Sequence, residues 1–508
     1  MVSLSAFLGT GAYAANEADC SDASAVAQVV STCYTGVNDA IDAVGDGGTV
    51  TLLKDITETP TIDGKNMTLD LGGKTLTVGT WGVDIYDSTL TIQNGNVVRG
   101  SGNGALYINR GTTPSTVTLA NGANIDGNGK TGIFLEDGVL NIQEGSTIKG
   151  LDAVNLSPVS SNANHSTVNM NGGTIEVTNA GINVNGTITD GPTINVSGGT
   201  ISSAGSETVG LYLGGDNTTT ISGGTITGTG AGVEIRAGDL TITGGNLTST
   251  STASEASSTP NGNGSTTTGA AVAIAQHTTK QPINVTISGG TFTGPAAFYE
   301  SNPQSNDATA IGQVNASITG GTFNGKVSAV DLTDYMTGGS ITVAPLAEEI
   351  DDGYDAFKKA DGTYVVLPVP TTGTYNKTLE YGDSYTMEGL APGFEEFYEE
   401  NTTDTNVAYV VLPVITGVDL GDSTTTMTLH GVKSDYVNTY NISVVEIPAE
   451  ETTTVVATQE GSADAPNTGV ATSSDSSVKS NNALMAAMAA GVTTMAGAFV
   501  VLKKRTRK

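Results

Sequence analysis

The chain has 508 residues and a formal net charge of −31, with 20 Lys and Arg against 51 Asp and Glu. Phosphate backbones are held by clustered Lys and Arg, so this balance argues against a nucleic-acid partner and disfavours polyanions at long range. Only 14% of residues are charged and 5% aromatic, and Gly supplies 67, which suits a repetitive β core of Val, Ile, Leu and Thr.

Residues 1–15 contain Leu4-Ser5-Ala6-Phe7-Leu8 and then Ala12-Tyr13-Ala14-Ala15. They read as the remnant of a secretory signal peptide with an Ala-x-Ala cleavage site, and the missing basic start is expected upstream. Residues 16–46 are expected to form a helical cap, because Val26, Val30, Cys33, Val37, Ile41 and Val44 fall on one stripe at helical spacing. Cys20 and Cys33 are the two cysteines of the chain, and an exported setting favours a disulfide between them over two free thiols. No Cys/His cluster has metal-ligand spacing, so neither a metal nor a cofactor is expected.

Residues 47–345 carry a repeat. Gly-Gly-Thr-apolar occurs at Gly172, Gly198, Gly223, Gly289 and Gly320, with looser copies at Gly72, Asn94, Asn121, Glu144, Gly244 and Gly338. Most neighbouring copies lie 21 to 27 residues apart, the length of one solenoid coil. Before most Gly pairs runs an alternating strand such as Met67-Leu69-Leu71, Leu90-Ile92, Val168-Met170 or Val285-Ile287. A second strand follows the pair, and a third has the form apolar-x-apolar: Val83 to Ile85, Leu106 to Ile108, Ile133 to Leu135, Val154 to Leu156, Ile182 to Val184, Leu211 to Leu213 and Val233 to Ile235. Three strands per coil predict an all-β, right-handed parallel β-helix of roughly eleven coils, about 50 Å long at the strand spacing. Its open ends need covering. Two polar insertions, Ser249 to Thr268 and Glu300 to Gln313, are expected to leave the rod as mobile loops.

Residues 346–370 hold Pro345-Leu346-Ala347-Glu348-Glu349-Ile350, Gly353-Tyr354 and Asp361-Gly362-Thr363-Tyr364-Val365-Val366 around their bounds. This stretch resembles the segment that closes β-helical repeats in bacterial surface proteins. Residues 371–448, with alternating runs such as Val407 to Leu412 and Tyr440 to Val445, predict a small β-sandwich-like domain. Residues 449–482 form a polar linker, 483–502 a mainly apolar stretch long enough for a transmembrane helix, and 503–508 a basic tail expected in the cytoplasm.

The linker contains Ala465-Pro466-Asn467-Thr468-Gly469. With the apolar span and basic tail behind it, this arrangement resembles the sorting signal of Gram-positive-type cell-wall proteins, whose motif is Leu-Pro-x-Thr-Gly. The resemblance implies that sortase cleaves between Thr468 and Gly469 and joins Thr468 to a peptidoglycan precursor. Ala465 stands where the family has Leu. The implied location is the cell wall, reached through a membrane-anchored stage, and the alternative is a permanently membrane-anchored protein.

The rod resembles the pectate-lyase-like β-helices, which include polysaccharide lyases and glycoside hydrolases. Their local patterns (Asn-Thr-Asp, Asp-Asp on a repeat strand, Gly-His-Gly) are missing from the repeats. His165, His277 and His430 are isolated and read as surface or loop residues. The outward middle residues of the third strands run Asp84, Tyr107, Phe134, Asn155, Asn183, Tyr212 and Glu234, with Tyr86, Asn109, Glu136, Ser157, Asn185 and Arg236 two places on. Stacking turns these into ladders. Aromatic rings beside Asn, Glu and Arg suit a sugar or a protein surface, although such a ladder can also simply solvate the sheet. The leading expectation is a non-enzymatic, wall-anchored surface protein whose rod binds glycans or proteins or serves structurally. The rival is a lyase or hydrolase of extracellular glycans, with Glu234, Arg236, Glu136 and Asp84 as its reacting groups.

Overall fold

A repeat that cannot bury its apolar face alone must stack on its neighbours, and the register displays that stacking residue by residue. The computed structural model describes residues 17–445 except 160, 262–263, 371, 390–407, 412–413 and 419–420. Leu69, Ile92, Leu119, Ile142, Met170, Val196, Ile221, Ile242, Ile287 and Ile318 are successive partners in one parallel ladder. All are buried. Each fully buried aliphatic side chain contributes about 1.5–3 kcal/mol, so the column is a continuous source of stability along the stack. The first strands of the coils belong to a 14-stranded sheet, and the second and third to a 21-stranded sheet. In Thr147–Leu156, Thr174–Val184 and Thr291–Ser301 the second and third strands run on as one element. The architecture is all-β, built of long, mainly parallel sheets, and compatible with a β-helix.

The Gly pairs turn the backbone between the first and second strands. Gly199 has φ +82, and a Cβ there would lie 2.5 Å from the Gly172 carbonyl oxygen of the coil below. Both the left-handed conformation and the close approach require glycine.

The amino-terminal cap departs from the expected helix. Only Val37–Ala43 is helical; Ala27–Val29 and Thr32–Tyr34 form a hairpin joined by Glu17–Ala18. Helical spacing misled because Ala27–Val29 is claimed by pairing on both edges, with Thr32–Tyr34 and with Gly48–Leu52, which suits its β-branched Val29. Val30 takes φ 53 in the hairpin turn and is 92% exposed, so it never belonged to an apolar stripe. The stripe is real from Val37 onward, where Val37, Ile41 and Val44 are buried. Glu58 caps this short helix by accepting from the Val37 and Asn38 amides at 2.8 and 2.9 Å. Cys20 and Cys33 are joined by a disulfide.

Ala27–Val29 lies antiparallel to Gly48–Leu52, the first strand of the stack. At the far end Tyr364–Pro368 lies antiparallel to Ser340–Ile341 and pairs with Tyr354–Lys358 in a hairpin. At each end of the parallel stack one of the two sheets therefore carries a strand of opposite direction, while at the far end Val314–Ile318 of the other sheet is followed by parallel bridges through Met336 to Ile350.

After the closing hairpin come two three-stranded sheets, Thr374–Glu380 with Asp435–Val445 and Gly421–His430, and Ser384–Thr386 with Val414–Gly417 and Ala408–Val411. Leu379, Met387, Ala408, Ile415, Tyr440, Ile442 and Val444 make their core, which Phe357 of the hairpin joins. The buried Asp355 carboxylate fastens this module by accepting from the Lys433 and Ser434 amides at 2.7 and 2.6 Å. Residues 1–15, the sorting motif, the 483–502 span and the basic tail lie outside the described residues. Among the described residues no helix is long and apolar enough to cross a membrane.

Candidate ligand-binding groove

Period-two alternation sends the middle residue of each third strand outward, and the stack aligns them. Asp84, Tyr107, Phe134, Asn155, Asn183, Tyr212 and Glu234 are successive partners in register. The Tyr107 and Phe134 rings stack at 5.0 Å between centroids, 16° from parallel. Trp81 meets Tyr107 edge-on at 6.4 Å and is 66% exposed. The sequence reading missed Trp81 because it precedes the strand. Its signal was there: the single Trp of the chain adjoins the ladder whose next two rungs are Tyr and Phe. Gly104 makes room for the platform, since a Cβ there would lie 2.7 Å from Phe134 Cδ2. Below it the half-buried Asp84 accepts from the Asn109 amide and, at 3.4 Å, from the Tyr86 hydroxyl. Burial pushes the Asp84 carboxyl above its ordinary value despite these bonds.

Further along, Asn155, Asn183, Asn185, Tyr212 and His277 line an open cleft of about 730 Å³. Each amide offers both donors and an acceptor. Ser157 donates to Asn155 Oδ1 at 2.7 Å, and Asn185 Oδ1 accepts from the Thr187 amide and hydroxyl at 3.0 and 2.7 Å, so these side chains are held in place. Asn179, also on the cleft wall, donates to the buried Asp152 at 2.7 Å. Burial raises the Asp152 carboxyl.

Glu234 and Arg236 are not on an open face: both are fully buried. The insertion Ser249 to Thr268 folds back over them instead of leaving the rod. Glu234 accepts from the Thr266 and Thr267 amides at 2.9 and 2.8 Å and from the Thr266 hydroxyl at 3.1 Å. Arg236 donates to the Tyr212 hydroxyl at 3.0 Å and to the Gly264 and Asn261 carbonyls, each at 2.7 Å. Alternation set their direction correctly; the insertion then used them as its anchor. Burial pushes the Glu234 carboxyl up, and the loop amides and Arg236 oppose that shift.

The second insertion is also tied down, and it carries a short helix, Ala308–Ile311. Gln304 donates to the Asn261 carbonyl at 2.9 Å, Asn306 to the His277 carbonyl at 2.8 Å, and Lys280 pairs with Asp307 at 2.6 Å. These bonds bring His277 into the cleft wall; it lies in the loop after Ala270–Ala275, as one of the two expected placements had it, but is only 7% exposed. His165 is exposed and lies 2.9 Å from Asp190. Glu136 lines a separate pocket of about 70 Å³ with Arg110, Asp137 and His165. His430 ends the strand Gly421–His430.

Among the described residues no group of three or more His, Cys, Asp or Glu is placed to hold a metal ion. No protein-family model, curated protein or solved structure matches the chain. The groove is therefore interpreted from its own geometry: stacked rings for apolar faces, then ordered amides for hydroxyl groups.

Proposed function

We propose that this chain is a bacterial surface protein whose right-handed β-helical rod binds carbohydrate along the third-strand face. The single observation that carries the binding reading is the continuity of the Trp81–Tyr107–Phe134 platform with the Asn-lined cleft. Sugar rings have apolar faces that pack on aromatic side chains and hydroxyls that pair with fixed amides. A binding rather than a hydrolytic role is favoured because Glu234 and Arg236, two of the four catalytic candidates, are used to anchor a loop, and Glu136 lines a separate pocket. Right-handedness follows the general preference of parallel crossovers.

Attachment to the wall rests on the sequence of Ala465-Pro466-Asn467-Thr468-Gly469 with its apolar span and basic tail. In this reading sortase is the processing partner and peptidoglycan the covalent one. Mass spectrometry of wall digests tests it: Thr468 joined to a peptidoglycan fragment is expected, and an intact carboxyl-terminal span in the mature protein would overturn it.

Glycan arrays test the binding role, comparing the parent with a variant carrying Trp81→Ala, Tyr107→Ala and Phe134→Ala. Aromatic packing of about 0.5–1.5 kcal/mol per ring gives an expected loss of at least tenfold in affinity. Equal binding by both proteins would remove this face from consideration, and steady release of oligosaccharide products would replace binding by catalysis.

A further inference from the structure

The groove differs at its two ends. At the Trp81 end nothing covers the ring, which is 66% exposed. At the other end the next rung, Glu234, is sealed beneath Thr266 and Thr267. Arg236 reaches from under the loop to Tyr212 and holds Gly264, which is part of the cleft wall. Gln304 braces the same loop at Asn261 from the second insertion. The wall is thus tied down at several points, and the path along the rungs stops at Tyr212.

The rungs are spaced at about 4.8 Å, the distance between neighbouring strands. That is close to the length of one sugar ring in an extended chain, so a linear glycan can place successive rings over successive rungs. The groove surface is made of aromatic rings, amides and hydroxyls. The nearby Arg236 gives both terminal nitrogens to the loop and Tyr212 and is fully buried, while Asp84 and Asp152 stand at the head and beneath the cleft. Arg99, beside Tyr107, gives its donors to the Gly127, Gly102 and Asn128 carbonyls, so a uronate or sulfate would meet Asp84 and Asp152 without a guanidinium fork to hold it, on a chain of net charge −31.

We infer that this groove recognises the terminus of a linear, uncharged glycan, with the end residue seated against Tyr212 and the chain leaving over Phe134, Tyr107 and Trp81. The inference rests on the carbohydrate-binding reading and adds a polarity to it. An internal segment of a polymer has to continue in both directions, and the Gly264 to Thr267 wall blocks one of them.

The test uses the full chain and a panel of linear neutral oligosaccharides six sugars long: β-1,4-glucan, α-1,4-glucan and β-1,4-linked N-acetylglucosamine. Each is offered free, coupled to a bulky carrier at either end, and coupled at both ends. For a hexamer that binds, blocking both ends is expected to weaken affinity at least tenfold, while at least one singly coupled form binds like the free sugar. With equal masses of short and long polymer, binding capacity is expected to follow the number of chain ends. Capacity that follows total length, with doubly blocked hexamers bound as well as free ones, would overturn the inference and leave the carbohydrate reading standing. Absence of binding across the whole panel would sink that reading, and this inference with it.

Discussion

Replacing Glu234 by Ala should release the insertion from the rod while leaving the coils stacked. The carboxylate satisfies two backbone amides and one hydroxyl at 2.8–3.1 Å, in a site with no solvent exposure. Removing it leaves those donors without an acceptor, at about 1–3 kcal/mol each when buried. The loop can relieve part of that cost by opening to water, so the expected loss is about 3 kcal/mol. The neighbouring core residues Val233 and Ile235 point inward and are untouched. The effect should therefore be local. Hydrogen exchange read by mass spectrometry is the assay: peptides spanning Thr266 and Thr267 should lose roughly a hundredfold in protection, since 1.4 kcal/mol is a factor of ten. Peptides covering Leu211 to Leu213 should change much less. Unaltered protection at Thr266 and Thr267 would refute the account of Glu234 as the anchor, and uniform loss along the rod would refute its locality.

Three further outcomes follow from the same geometry. Gly199→Ala puts a side chain at φ +82 and a Cβ 2.5 Å from the Gly172 oxygen, so a loss of about 2 kcal/mol is expected and an unchanged thermal midpoint would contradict it. Burial raises the Glu349 carboxyl from 4.5 to about 7 in the closing segment. The folded protein therefore binds the proton more tightly than the unfolded chain, and this contribution is complete below pH 4.5 and lost as pH rises through about 7. It amounts to about 3 kcal/mol. Glu349→Gln keeps an acceptor for the Leu346 amide and should raise the midpoint relative to the parent at pH 8 but not at pH 4.5; equal gains at both would exclude the titration. Reduction of Cys20–Cys33, which are 13 residues apart, should cost about 3 kcal/mol and loosen the hairpin over Gly48–Leu52. Light scattering after reduction should rise, and a reduced protein that stays monodisperse with the same midpoint would contradict that.

The stack was legible because a solenoid writes its register directly into the spacing of its repeats. The third-strand series from Asp84 to Glu234 could be aligned coil by coil from sequence, and the ladder pairs those residues. What a single strand cannot reveal is what comes to lie on top of it. Glu234 and Arg236 look like surface residues by alternation, and the polar insertion looks detachable by composition; the contacts between them decide both. The amino-terminal cap failed for a different reason. Val26, Val30 and Cys33 match helical spacing by number, while β-branching at Val29 and Thr32 favours the paired strands, and Val30 is held in the left-handed turn between them against its own preference. Trp81 was invisible to strand periodicity because it sits in the connection before Val83.

The hairpins that run against the stack at either end also govern how the molecule can grow. Parallel coils add to a parallel edge in matching register, and among the described residues one sheet at each end carries an antiparallel strand there instead. Tip-to-tip growth that continues both ladders at once is therefore opposed at each end by the strand that runs the other way. Coils duplicated within the body lengthen the stack without meeting those strands, each adding about 4.8 Å, so a change of span is most simply a genetic event.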